Sequence, residues 1–176
     1  MSSSASKSGG GSTRTGKKLG CIGKCTSGLS PEELDLITDH IHRTLSSLKG
    51  RAIFRRFLEQ QGRSTDLSCL DLYEQICGYI EKERAHRLSA RNPTLEHLKA
   101  DVDSVLNALD DLEAVEEIDL DLLRRLTDSL DSESREDMLA CLEEVKNRLM
   151  NYLGRPDEED GSWSFRRYVK QPCPKT

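Results

Sequence analysis

Along the chain, large apolar side chains are nearly absent up to residue 28 and then recur at helical spacing to residue 153. Order is expected to begin at Ser30-Pro31-Glu32-Glu33, where Ser30 suits an N-cap, Pro31 the first helical position and Glu33 the returning carboxylate of a capping box. Leu34, Ile37, Ile41, Leu45 and Leu48 then follow by steps of three and four, which predicts one helix ending or bending at Gly50. A second helix carries Ile53, Phe54, Phe57 and Leu58 and stops near Gly62. Asp66 is a candidate cap for a third, with Cys69, Leu70, Tyr73, Ile76, Cys77 and Ile80 facing inward.

The run "EKERAHRLSARNP" is too polar to bury and reads as a helix end followed by a loop. Asn92-Pro93 restarts the pattern, and Leu95, Leu98, Val102, Val105, Leu109 and Leu112 share one face. Two further helices are expected, one from about Ile118 to Leu130 and one starting after Ser132 and ending at Gly154-Arg155-Pro156. An acidic loop, "PDEEDG", leads to a short amphipathic piece with Trp163, Phe165, Tyr168 and Val169. No stretch alternates with period two. The fold class expected is all-α: a single bundle of six or seven helices over residues 29–171. A disordered basic tail at 1–28 precedes it and a short tail at 172–176 follows.

Charge sharpens this division. Residues 1–28 hold Lys7, Arg14, Lys17, Lys18 and Lys24 and no acid, giving +5; the whole chain is −5, so residues 29–176 carry −10. An acidic helical body does not suit nucleic acid, where affinity is built largely on neutralised phosphates. No apolar run reaches the roughly 20 residues of a membrane span, and no secretory signal is expected of the Ser/Gly/Lys-rich stretch at the start, which has no hydrophobic segment. Cys69, Cys77 and Cys141 fall within helical patterns as small buried hydrophobes. The expected setting is cytoplasmic, with reduced thiols. Cys21 and Cys25, in "KKLGCIGKC", are candidate lipidation sites, because one acyl chain beside a basic patch can hold a protein at a membrane. The competing interpretation is two incidental thiols in a polar tail.

Catalytic patterns are missing. The chain has no glycine-rich phosphate loop, no nucleophile elbow and no histidine pair at metal spacing. His40 and His42 are two apart and would face different directions on one helix. The carboxylates Asp101, Asp103, Asp110, Asp111, Glu113, Glu116, Glu117, Asp119 and Asp121 lack the glycine and the bidentate glutamate of a calcium loop, and read as a solvated face. No metal, cofactor or enzymatic chemistry is therefore expected. "DEED" at 157–160 is a solvating loop or a contact for a basic partner. Trp163, Phe165 and Tyr168 either dock back on the bundle or form an exposed anchor.

The stretch "SSLKGRAIFRRFLEQQGRSTDLSCLDLYEQICGYIEKE" resembles the opening of a regulator of G-protein signalling (RGS) homology domain. Leu48, Gly50, Phe54, Arg55, Phe57 and Leu58 match its first helix motif, Asp66-Leu67 stand where the family has Asn-Leu, and Tyr73 and Glu74 match the helix after it. The end, "LEEVKNRLMNYLG…SWSFRRYVKQ", is similar to the family's closing segment through Phe165, Tyr168 and Val169. The resemblance covers about 30–171 and implies an RGS-like all-α fold.

The family's GTPase-activating members steady a Gα subunit with a Glu-Asn pair, where this chain has Thr65-Asp66; where the family then has an aromatic pair, this chain has Cys69-Leu70. A second family asparagine corresponds to Asn92. Aspartate cannot present the amide donor of asparagine, so the resemblance implies a signalling adaptor that binds a Gα subunit or another signalling protein without catalysis. Its candidate surface is the loop Gly62, Arg63, Ser64, Thr65 and Asp66, expected to be exposed, together with Asn92. The alternatives are a true GTPase activator with an altered loop and a death-fold-type adaptor that assembles with itself. A basic tail touching a membrane surface is compatible with each.

Overall fold

The computed structural model describes residues 28–87, 95–112 and 114–171. These form eight helices and no strand: α1 (Pro31–Ile37), α2 (Ile41–Ser46), α3 (Leu48–Gln60), α4 (Ser64–Arg87), α5 (Leu95–Asp110), α6 (Leu120–Asp131), α7 (Arg135–Leu153) and α8 (Ser164–Lys170). The expected all-α class holds. The proposed tail sites Cys21 and Cys25, together with Asn92, lie outside the described residues.

The N-terminal signals act as read. Ser30 Oγ accepts from the Glu33 amide at 3.1 Å, and the Glu33 carboxylate accepts the Ser30 amide at 2.8 Å, a complete capping box. The single helix expected over 31–50 is instead three pieces. Thr44 Oγ1 donates to the Ile37 carbonyl at 2.7 Å, and His40 and Ser47, both extended, cap α2 and α3 through their side chains. Such local side-chain bonds offer the backbone an alternative to continuing a helix. The break takes Leu48 off the apolar stripe, and it stands 77% exposed. Gly50 therefore neither ends nor bends a helix. It sits in the first turn of α3, where an added Cβ would lie 3.1 Å from the Thr44 carbonyl carbon and closer still to its oxygen.

At the other extreme, α4 continues through the polar run to Arg87. There Glu83, 1% exposed, takes the Arg135 guanidinium at 2.7 Å and ties the end of α4 to the start of α7. α7 is the hub, packing on α4, α6, α5 and α2 with Met138, Leu142, Val145 and Leu149 fully buried. Its C-terminal end meets α2 so closely that a Cβ on Gly154 would lie 2.6 Å from Ile41 Cγ2. The facing stripe of α5, Leu98, Val102, Val105 and Leu109, is buried as its spacing predicts. Cys69 and Cys141 are buried free thiols, and Cys77 is half-buried.

Candidate partner-binding surface

The corner between α3 and α4 is a single tight turn. Gly62 takes φ +65°, its amide donates to the Glu59 carbonyl, and the Arg63 amide reaches the Leu58 carbonyl at 3.0 Å. These two bonds close α3 in a Schellman motif, for which a residue without Cβ suits the left-handed position. Ser64, Thr65 and Asp66 then form the first turn of α4 rather than a loop. Gly62 and Ser64 are exposed, Arg63 and Thr65 half-buried.

Asp66 departs from the exposed position expected of it, being 4% exposed. Its carboxylate oxygens accept from Arg155 Nη2 at 3.3 and 3.4 Å, and Arg63 stands 3.7 Å away. Arg155 is itself placed by stacking 3.9 Å above the Tyr152 ring and donating to the Tyr152 carbonyl at 2.8 Å. The buried negative charge marks its neighbours. Burial, and then Asp66, push the Cys69 thiol and the Tyr152 phenol up to about 12. Arg155, expected only to form part of a helix stop, is the cation that takes Asp66 inside.

The closing segment docks back on the bundle. Phe165 is fully buried, edge-on to Phe54 at 4.9 Å and tilted against Phe57 at 5.3 Å. The Trp163 indole nitrogen donates to the Leu153 carbonyl at 3.0 Å, and Tyr168 Oη donates to Gln60 at 3.2 Å. Its arginines are paired as well: Arg166 with Asp35 and Asp39, Arg167 with Asp157 and Asp160. Two carboxylates of the "DEED" loop thus hold α8 in place. His40 and His42 also differ from expectation. Because His40 precedes α2 as its extended cap, the two rings stack at 4.9 Å instead of diverging. Among the described residues, no group of three or more His, Cys, Asp or Glu side chains is arranged to hold a metal ion. None of the described helices is long and apolar enough to cross a membrane.

A surface groove joins these features that no sequence motif announced. The end of α5, the turn after it and the start of α6 enclose about 780 Å³. Leu112, Ile118, Leu120 and Leu123 line it, and Asp110, Asp119 and Asp121 stand at its edge. Asp119 caps α6 by accepting the Leu122 amide at 2.8 Å. That bond, and then Arg148 at 3.3 Å, hold its carboxyl below the usual range. Arg148 also donates to the Glu117 carbonyl at 3.1 Å, which fixes the turn. Leu120, 78% exposed between Asp119 and Asp121, is the signal the sequence did contain: an apolar residue off the inward stripe of α6. No family model, no curated protein and no solved structure matches the chain.

Proposed function

We propose that this chain is a non-enzymatic protein-binding module, a divergent RGS-like domain acting as a signalling adaptor for a Gα subunit or another signalling protein. The family likeness rests on the sequence motifs around Phe54–Asp66 and Phe165–Val169. The observation that favours binding over GTPase activation is the state of Asp66. At the position where activating members carry asparagine, this chain has a buried carboxylate held by Arg155 and Arg63. A carboxylate accepts and cannot donate, and one taken inside the bundle offers little to a partner's surface. Gly62 and Ser64, exposed beside it, remain the contact points of this reading. The setting we propose is cytoplasmic, with Cys21 and Cys25 in the basic tail as a peripheral membrane contact.

Two measurements test it. Titration of the full chain against activated Gα subunits of each class is expected to give saturable binding, and absence of binding to every class removes the G-protein version. Single-turnover GTP hydrolysis is expected to keep its basal rate in excess protein. Acceleration would establish the activator instead.

A further inference from the structure

The groove between α5 and α6 combines two properties that select its occupant. Its lining is apolar, with Leu120 presented to solvent, so a ligand must bring apolar side chains to gain from burial there. Its surroundings are acidic: Asp110, Asp111, Glu116, Glu117, Asp119 and Asp121 lie within one short stretch. Arg148 answers Asp119, and Arg125 answers Asp121 at 3.1 Å, while Asp110 has no ion-pair partner among the described residues. An anionic lipid surface or a nucleic acid is repelled by such a rim. A basic segment with one or two apolar side chains is attracted to it.

The chain carries such a segment. Lys17-Lys18-Leu19-Gly20-Cys21-Ile22-Gly23-Lys24 sets Leu19 and Ile22 three apart between lysines, and residues 1–28 contain no acid. Its tether is short enough to matter. Leu29 packs against the core, and the ten residues from Leu19 to Leu29 span up to about 33 Å when extended.

We propose that residues 17–24 of this same chain occupy the α5–α6 groove, with Leu19 and Ile22 against Leu120 and Leu123 and the lysines facing the carboxylate rim. Within one chain the segment acts at an effective concentration set by the length of its tether, so docking that is weak between separate molecules is sufficient. This inference stands independently of any G-protein partner.

The test is NMR on the full ¹⁵N-labelled chain. The triple variant K17E/K18E/K24E is expected to shift the amides of Asp110, Leu112, Leu120 and Leu123 while leaving the α7 core unchanged. Raising salt from about 0.1 to 1 M, which shortens the screening length from about 10 to 3 Å, is expected to move the wild-type amides the same way. A synthetic peptide of residues 14–26 is expected to bind the triple variant at least about tenfold more tightly than wild type, where the tethered copy competes. L120E, at an exposed position, is expected to abolish both effects. Groove amides indifferent to tail reversal and salt would overturn the proposal. Equal peptide affinity for both proteins would overturn it too, and would assign the groove to a segment supplied by another molecule.

Discussion

Replacing Gly50 by alanine sets two effects of opposite sign against each other. By helix propensity alone, Gly→Ala stabilises a helix by about 0.5–1 kcal/mol, because glycine has more backbone freedom to lose. The structure opposes this. The new Cβ would sit 3.1 Å from the Thr44 carbonyl carbon and Cα, inside the 3.4–4 Å of ordinary contact, with the oxygen nearer still. The obstacle is backbone, and it is held: Thr44 is fully buried and bonded to Ile37, and Ile41 of the same helix is packed against Gly154. Forcing extra volume into such a contact costs about 1–3 kcal/mol. The net expectation for G50A is a loss of up to about 2.5 kcal/mol, the difference between that cost and the propensity gain. Gly78, exposed in α4 with nothing within 4 Å of an added Cβ, is the control. G78A is expected to gain about 0.5–1 kcal/mol. Urea unfolding followed by far-ultraviolet circular dichroism reads both as opposite shifts of the midpoint at constant slope. A G50A protein that gains stability as G78A does would refute the close approach of α2 and α3.

F165A is expected to cost about 3–5 kcal/mol, since it empties a fully buried site against Phe54 and Phe57; a loss below about 1 kcal/mol would mean that α8 is not docked. With its thiol at about 12, Cys69 is about 10⁻⁴ thiolate at pH 8. Iodoacetamide and peptide mass spectrometry are expected to find it unmodified until the protein unfolds, and labelling of native protein at the rate of Cys77 would contradict its burial. Asp119, Glu133 and Asp160 have folded pKa values below their ordinary 3.8, 4.5 and 3.8, through the Leu122 amide, Lys99 and Ser162 respectively. Their contribution is present above those ordinary values and is lost as pH falls through the depressed ones. The urea midpoint is therefore expected to be level from pH 7 to 5 and to drop below about pH 4; equal midpoints at pH 7 and 3 would contradict it.

What the sequence by itself determined is what lies within one or two helical turns. Ser30 and Glu33 meet because a capping box closes over three residues, and the buried face of α5 follows from its spacing alone. Class and most elements are legible for the same reason. Where side-chain bonds compete with the helix, periodicity misleads: the stripe from Leu34 to Leu48 is cut by Thr44 reaching back to Ile37 and by the caps at His40 and Ser47.

The candidate sites depended on contacts no local pattern contains. Asp66 is buried because Arg155, 89 residues onward, reaches it, and Phe165 is core because α8 returns to α3. The α5–α6 groove exists because Arg148 of α7 fixes the turn between them. A charge or an aromatic ring has the same chemistry wherever the chain puts it. Its partner, and so whether it faces core or solvent, is decided only where distant helices cross.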